Sequence, residues 1–503
     1  MESLAAVLGV FALLMLISLL SSKLSGIINM PCLLLFLVVG LVAGSDLLGN
    51  HKLMIDSTET ANAIGTTAMA FILFSGGFDT NFKSIRPVLV TGGILSSAGV
   101  LLTALFSGIF IWGLGKVLLP DEYIQFSWCL LLGSIISSTD AAAVFSILRS
   151  KSVSLTGNLQ PLLELESGSN DPMATLLTLF MISMVKLEES TGVSPSAYQY
   201  LYIVRDFLVK MSIGLLIGYL LGRAAVWLYN KINFDYNGLY YALGIVMVLI
   251  TFSTAESCWG NGFMAVYAAG IVMGNSHFVF HNGLGRFYDG LTWIMQAILF
   301  TMLGIMAEPS KVWEVKDFGL AVALFLMVVA RPLAVALCMI GSRFNARERL
   351  LTAWVGLRGG APIMLATFTM IHKVEDSSFL FHIIFFIVLM SVLVQGMTIM
   401  PLANMLKLAG PLRRTLRMPL TFEETGDANS DFRELPVPKE RIGQSLKDLH
   451  LPGGVLVLLI RRDDRFVVPR GNTMLEANDV LTLMGTPEAI HESEEQLNLE
   501  ILS

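Results

Sequence analysis

Long apolar stretches alternate with short polar connections over the first four-fifths of the chain. Each stretch approaches the ~20 residues that a helix needs to cross a lipid bilayer, and the pattern predicts about 13 spans. The spans are predicted near residues 3–22, 31–48, 60–77, 87–114, 125–148, 162–186, 203–229, 236–254, 260–275, 288–306, 317–341, 349–371 and 378–406. We therefore expect an all-α polytopic membrane protein, with the first apolar stretch retained as a helix.

Two of the predicted spans contain residues that interrupt a helix. The fifth includes SIISSTDAAAV, with Asp140 near its middle, and the twelfth includes VGLRGGAPIML, with Arg358 and Pro362. Irregular backbone at membrane depth is tolerated only where it is buried in protein or lines a cavity. Because the two broken helices are seven spans apart, they should run in opposite directions, which predicts two inverted repeats with the substrate site where they meet.

The character of the chain changes after Lys407. A polar linker follows, and then a pattern typical of a small α/β unit: GVLVLLI and RFVVP flank RRDD as a hairpin, NDVLTLMG predicts a strand and PEAIHESEEQLNLE a helix. The predicted domains are a membrane domain over 1–409, a linker over 410–431 and a C-terminal domain over 432–503. A core of this size is marginal alone, so docking or dimerisation is expected.

Charge is scarce and unevenly placed. Only 14% of residues are charged, against about 25% in an average soluble domain. Lys and Arg are concentrated in one set of alternate loops, which should be cytoplasmic. This distribution places the N-terminus outside and the C-terminus in the cytoplasm of a cell that carries the protein in its inner or plasma membrane. Nothing in the charge pattern predicts a nucleic-acid partner.

The remaining charges inside the spans identify a candidate site. Asp140 lies near the middle of the fifth span, Asp171 of the sixth, Arg331 of the eleventh and Arg358 of the twelfth. A charge at the bilayer centre costs about 2.5–3.5 kcal/mol on insertion scales. Four spans with a charge at similar depth predict one shared polar site.

The sixth span carries the densest polar run, LELESGSNDP. Glu166 and Asn170 are four residues apart, as are Ser167 and Asp171, so the two pairs lie on neighbouring stripes of one helix face. The proline that follows cannot donate its backbone hydrogen bond and frees a carbonyl oxygen. Such oxygens suit a hard cation, and a monovalent one because Arg331 can neutralise one carboxylate.

These residues suggest an exchange mechanism. Burial disfavours the charged form of a carboxyl group, so protons and metal cations would compete for the same oxygens. Asp171, together with Asp140, is the candidate titrating group, and the cation would bind at Asp171, Ser167 and Thr139. A site of this kind that opens alternately to each side exchanges protons for cations.

Structural roles are open for several of these residues. Asp140 could be only the N-cap of the second half-helix. Asn170 is a better candidate for a tether between the broken helices than for a direct ligand. Ser167 and Thr139 could bond backbone carbonyls, and Arg358 is better suited to neutralise the carbonyl ends of half-helices than to touch substrate.

Other classes of function have weaker support in the sequence. A cation channel would need a continuous pore, whereas the polar groups cluster at one depth. An enzyme is not expected, because the sequence contains no G-x-S-x-G, H-E-x-x-H or P-loop motif. No resident cofactor is predicted.

Four segments together resemble the cation–proton antiporter-1 family, which includes bacterial sodium–proton and potassium–proton antiporters: SSTDAAAVFSIL, LELESGSNDP, ARPLAV and GLRGGAPI. Their order and separation also fit, over about residues 5–405. The resemblance implies ion and proton binding at Asp171, Asp140, Ser167, Thr139 and Asn170, and a structural ion pair between Glu166 and Arg331.

The resemblance carries further implications. The Asn-Asp form of the motif at Asn170 and Asp171 is similar to the electroneutral, one-for-one branch. The family forms dimers in which spans four to six and eleven to thirteen move against a dimerisation domain. Two departures are present: Ser75 stands where many relatives have an acid in the third span, and Thr-Asp-Ala replaces Thr-Asp-Pro in the fifth.

The tail resembles the C-terminal lobe of the domains that regulate potassium channels and transporters. Relatives with such a tail are usually potassium–proton antiporters or cell-volume regulators, which favours K⁺ and a role in pH homeostasis. The lobe is a candidate site for a small regulatory ligand such as a nucleotide, although no G-x-G-x-x-G is present. A dimerising tail without a ligand is an equal alternative, and a Na⁺/H⁺ antiporter without a ligand-sensing tail is the alternative for the whole chain.

Overall fold

The computed structural model describes residues 12–20, 32–45, 57–118, 125–150, 153–192, 197–411, 431–438, 441–462, 465–477 and 479–496, together with Gly9 and Lys23. The chain divides into two compact units. The first comprises Met1–Leu228, Phe234–His277 and Leu284–Leu412, and the second comprises Tyr229–Asn233, Phe278–Gly283 and Arg413–Ser503. Residues 412–430, which make up most of the predicted linker, lie outside the described part of the chain.

Helices account for nearly all of the membrane domain. Residues 12–20 are helical. After them come α1 Cys32–Ala43, α2 Thr58–Asp79, α3 Phe82–Ile85, α4 Leu89–Ile94, α5 Val100–Leu118, α6 Phe126–Ile135, α7 Ala141–Ser150, α8 Leu159–Thr191, α9 Ala197–Lys231, α10 Gly238–Ser257, α11 Gly262–Gly274, α12 His281–Met306, α13 Pro309–Glu314, α14 Lys316–Phe325, α15 Arg331–Cys338, α16 Ala346–Trp354, α17 Gly360–Ile371 and α18 Ser377–Met405. Each predicted span overlaps helical residues, and the fifth and twelfth are broken as predicted.

Length and composition single out the helices that can cross a membrane. Within the described ranges, seven helices are long and apolar enough, and four shorter apolar helices accompany them. The long helix α8 is not among the seven, because the polar run from Glu164 to Asp171 interrupts its apolar sequence. The all-α membrane fold is confirmed, while the number of 13 crossings stays a prediction.

Two spans change their helical pitch without breaking. A π-helical turn, Leu95–Gly99, lies between α4 and α5, and a second one, Leu326–Ala330, lies directly before Arg331 in α15. Pro332 follows Arg331 and has no backbone N–H, so the regular hydrogen-bond ladder cannot continue through it. A wide turn at this point re-aims the residues beside it, as π-turns near functional sites often do.

Small residues allow the helices to pack closely. A Cβ atom added at Gly77 in α2 would lie 2.4 Å from the carbonyl oxygen of Tyr267 in α11, and one added at Gly270 would lie 2.3 Å from the carbonyl oxygen of Phe74. Only glycine permits contact between two backbones at this distance, as is common between membrane helices. Helices α2 and α11 are therefore tightly packed against each other, next to α8.

A short ladder joins two distant parts of the membrane domain. Strand β1, Val153–Leu155, lies between α7 and α8, and strand β2, Ala409–Pro411, follows α18. They pair antiparallel, with Val153 opposite Pro411, and Thr156 N–H adds a bond of 3.0 Å to the Leu408 carbonyl. The sequence did not predict this ladder.

The described C-terminal residues form a four-stranded antiparallel sheet and an α-helix. Strands β3 Asp431–Pro436, β4 Leu456–Arg462, β5 Arg465–Val467 and β6 Val480–Gly485 take the order β3-β6-β4-β5, and helix α19 spans Pro487–Gln496. Pairing of β4 with β5 confirms the predicted hairpin. Arg462 closes the sheet end with two bonds of 2.9 Å to the buried carboxylate of Asp479.

Candidate functional site

The first helix break lies between α6 and α7, at residues 136–140. Asp140 Oδ1 accepts a hydrogen bond of 3.1 Å from Ala143 N–H, so this side chain caps the N-terminus of α7. The structural role left open by the sequence is therefore real for one carboxylate oxygen. The other oxygen, Oδ2, faces Gly359, where an added Cβ atom would lie only 2.0 Å away.

The second break lies between α16 and α17, and it meets the first. Asp140 N–H donates to the Leu357 carbonyl at 2.7 Å. The buried guanidinium of Arg358 donates through Nη1 to the carbonyls of Ser137 at 2.6 Å and Ser138 at 2.5 Å. Each break thus provides hydrogen-bond partners for the backbone of the other.

The charges match the ends of the half-helices. Helix N-termini carry a partial positive charge and C-termini a partial negative one. The carboxylate of Asp140 lies at the N-terminus of α7 and against Gly359, the residue before α17, while Arg358 lies at the C-terminal end of α6. Such ends are electrostatic partners for ions in transporters that contain broken helices.

Helix α8 is tied to the first break by two side chains. Ser167 Oγ donates to the Thr139 carbonyl at 3.0 Å and accepts from Ala141 N–H at 2.9 Å. Asn170 Nδ2 donates to Thr139 Oγ1 at 2.5 Å. These contacts match the tethering and backbone-bonding roles left open by the sequence. Among the described residues, no donor reaches the buried oxygen Asn170 Oδ1.

Two carboxylates of α8 have opposite surroundings. Glu166 forms an ion pair of 2.5 Å with Arg331 Nη2, and both side chains are almost completely buried. Asp171 is half-buried, and its Oδ1 accepts a hydrogen bond from Ser138 Oγ. Within the described part of the chain, no Lys or Arg nitrogen lies within ion-pair distance of Asp171. Glu166 is therefore neutralised by the protein, and Asp171 is not.

The structure also brings in residues that the sequence analysis did not assign to the site. Ser138 contacts Asp171 directly. Ser391 accepts the backbone N–H of Arg358 at 3.0 Å and donates to Gln395, whose amide donates to the Trp354 carbonyl at 2.8 Å. Ser391 and Gln395 are four residues apart in an apolar span, a polar pair that could have been noticed.

A cavity of about 600 Å³ lies beside α8, one turn beyond Asp171. Its lining includes Thr175 and Asn261 together with the charged side chains of Asp206, Lys210 and Glu256. Thr175 Oγ1 donates to the Asp171 carbonyl at 2.8 Å, so the cavity wall and the site share a turn of helix. The polar groups around Asp171 therefore continue along α8 into a cavity with a partly polar lining.

The described residues contain no cluster of three or more His, Cys, Asp or Glu side chains that could hold a metal ion. Ser138 places a hydroxyl oxygen beside the Asp171 carboxylate, and oxygens of these two kinds are ligands for a hard cation.

A carboxylate that has no ion-pair partner among the described residues, next to two helix breaks that contact each other, is typical of secondary cation transporters. Comparison with known proteins identifies the family. Residues 9–405 match the family described as sodium/hydrogen exchanger, transmembrane, and residues 432–498 match the TrkA-C domain. The chain belongs to the sodium/hydrogen exchanger family, which consists of cation–proton antiporters and not of enzymes. The resemblances found in the sequence, for the membrane domain and for the tail, are confirmed.

Individual relatives support the same family. The chain is 33% identical over 487 residues to the K(+)/H(+) antiporter NhaP2 of Shewanella oneidensis, covering 95% of this chain and 81% of that protein. It is 26% identical over 380 residues to the Na(+)/H(+) antiporter NhaP of Pseudomonas aeruginosa, covering 71% of this chain and 84% of that protein.

A solved structure shares the fold. The sodium proton antiporter MjNhaP1 of Methanocaldococcus jannaschii superposes with a TM-score of 0.66 at 24% identity, covering 80% of this chain and 99% of that chain. At this identity the match shows the fold alone.

Proposed function

We propose that the chain is a secondary active antiporter that exchanges cytoplasmic K⁺ for H⁺, one for one, at Asp171. The observation that carries this proposal is the contrast within α8. Arg331 neutralises Glu166, whereas no basic side chain of the described residues is paired with Asp171. A half-buried carboxylate of this kind needs a positive charge, and either a proton or a monovalent cation supplies it.

The one-for-one ratio follows from the charge of the two loaded forms. Asp171 with a proton and Asp171 with a bound K⁺ have the same net charge. The charge of Glu166 is cancelled by Arg331, and Asp140 is held against the N-terminal ends of α7 and α17. Movement of either loaded form across the membrane therefore carries no net charge, so the exchange is electroneutral.

Alternating access supplies the vectorial step. The cavity next to Thr175 and Asn261 adjoins α8 on the side of Asp171 that leads to the predicted outer end of the helix. We assign this cavity to the outer access route, with the N-terminus outside and the C-terminus in the cytoplasm. The transporter acts as a homodimer in the cell membrane, where the exchange serves pH homeostasis and cell-volume regulation.

The choice of K⁺ rests on the relatives and on the tail. The K(+)/H(+) antiporter of S. oneidensis aligns with 95% of this chain, whereas the Na(+)/H(+) antiporter of P. aeruginosa aligns with 71%. A membrane domain over 1–409 is joined through the linker 410–431 to a regulatory domain over 432–503, of which residues 432–498 match the TrkA-C domain. The second candidate is Na⁺/H⁺ exchange, favoured by the P. aeruginosa relative.

The test is exchange in proteoliposomes that contain a pH dye, with K⁺ and then Na⁺ added outside, beside the variant Asp171→Asn. We expect alkalinisation of the lumen with K⁺, its loss in the variant, and no signal from a membrane-potential dye. A response to Na⁺ alone would replace the ion and keep the mechanism. Exchange by Asp171→Asn at the parent rate would refute Asp171 as the carrier of both ions, and a potential change would refute electroneutrality.

A further inference from the structure

The oxygens expected to bind the cation are already in use at the first helix break. Thr139 accepts on its carbonyl from Ser167 and on Oγ1 from Asn170. The Ser167 hydroxyl both donates and accepts, at 3.0 and 2.9 Å. These two residues hold the break together, so each has less capacity to bind and release an ion in every cycle.

Ser138 is placed differently. Its hydroxyl donates to Asp171 Oδ1, and a hydroxyl oxygen that donates keeps two lone pairs for another partner. The backbone of Ser138 is held by Arg358, which binds its carbonyl at 2.5 Å, and the residue is 1% exposed. The hydroxyl is thus held next to the carboxylate, and its oxygen keeps lone pairs that a cation on Asp171 could use.

We propose that Ser138 is a cation ligand of this transporter and helps to set its ion selectivity. With a cation on Asp171, the Ser138 oxygen completes the shell on the side of the first break, while Thr139 and Ser167 keep their structural bonds. Fixing one ligand by the Arg358–carbonyl contact limits how far the shell can expand, and this limit discriminates between ions of different radius. The inference rests on the proposed exchange at Asp171.

The test compares Ser138→Ala with Ser134→Ala in the same proteoliposomes. Ser134 is equally buried and lies four residues earlier, and within the described residues its hydroxyl bonds only the Leu130 carbonyl, at 2.6 Å, which makes it a matched control. We expect Ser138→Ala to raise the KM for the cation about five- to tenfold, the effect of one lost polar ligand, with the maximal rate within about twofold. The ratio of K⁺ to Na⁺ transport should change, and Ser138→Thr, which keeps a hydroxyl, should restore the parent KM.

A second readout separates this inference from the proposed function. Ligands raise the unfolding temperature of the state that binds them, so the purified protein is titrated with KCl and NaCl, with choline chloride for equal ionic strength. A higher cation requirement in Ser138→Ala than in Ser134→Ala supports the ligand role, even if the parent shows no exchange and the proposed function fails. Equal KM values and equal titrations in the two variants would overturn it, as would a fall in maximal rate alone.

Discussion

The two helix breaks meet in space but are stabilised by different chemistry. At the first, charged side chains bind the buried helix ends: Arg358 at the end of α6 and Asp140 at the start of α7. At the second, two neutral side chains of α18 bind the backbone: Gln395 donates to the Trp354 carbonyl, and Ser391 accepts the backbone N–H of Arg358. Gly359, at the N-cap of α17, provides no side-chain cap.

The two breaks contribute different groups to each other. The first break receives the Arg358 guanidinium from the second, whereas the second receives the backbone N–H of Asp140 at the Leu357 carbonyl. The second break is supported in addition by α18, the next helix along the chain. Charged groups are thereby concentrated at the first break, next to Asp171. The neutral side chains of α18 hold the second break, and with it Arg358, in position.

The largest effect is expected from removing the Arg358 guanidinium. Arg358→Gln deprives the buried carbonyls of Ser137 and Ser138 of their charged donor, at about 1–3 kcal/mol for each buried group left unsatisfied. We expect a strongly lowered unfolding temperature in detergent and little exchange. Arg347→Gln, at an exposed position in α16, is the control and should match the parent. An Arg358→Gln protein as stable as the parent would show that the breaks are independent.

The next effect separates charge from capping at the first break. Asn at position 140 keeps an oxygen for Ala143 N–H but removes the negative charge. We expect Asp140→Asn to unfold within a few degrees of the parent while its exchange rate falls at least about tenfold. Asp140→Ala should lose stability as well, by about 1 kcal/mol. Parent-like exchange by Asp140→Asn would reduce Asp140 to a helix cap.

A steric change tests the contact between the breaks. The Cβ of Gly359→Ala would lie 2.0 Å from Asp140 Oδ2, while that of Gly360→Ala would lie 3.0 Å from the ring of Phe300, which can shift. Overpacking typically costs about 1–3 kcal/mol. We expect slower exchange and lower stability in Gly359→Ala, and a smaller change in Gly360→Ala. Equal behaviour of the two variants would contradict the close approach of Asp140 to α17.

The smallest effect is expected from the neutral side chains of α18 that bind the second break. Gln395→Met removes the donor to the Trp354 carbonyl and the acceptor for Ser391, and each neutral hydrogen bond is worth about 1 kcal/mol. Thermal unfolding should show a modest loss of stability, with exchange within about twofold of the parent. Met397→Leu, two residues further along α18 and exposed, is the control. A loss as large as that of Arg358→Gln would mean that the two breaks share one network without hierarchy.

Much of the fold could be predicted because the bilayer imposes a simple pattern. Apolar runs gave the spans, and Asp140 and Arg358 marked the two breaks because charges at membrane depth are rare. The contacts inside the first break could not be predicted. Residues 136–140 follow neither helical nor strand periodicity, so the sequence could not tell that Ser138, rather than Thr139, would face Asp171. The β1–β2 ladder could not be predicted for another reason: it pairs three-residue segments that are far apart in sequence.

That ladder has a consequence for how the protein is made. Val153 pairs with Pro411, so the ladder closes a loop of about half the chain, and such long-range contacts form late. During synthesis β1 emerges with α7 and α8 on either side, but its partner strand leaves the ribosome only after α18. The connection between α7, which Asp140 caps, and α8, which carries Asp171, is therefore the last contact of the membrane domain to form. A chain that stops before residue 409 keeps every helix of the membrane domain and lacks this final closure.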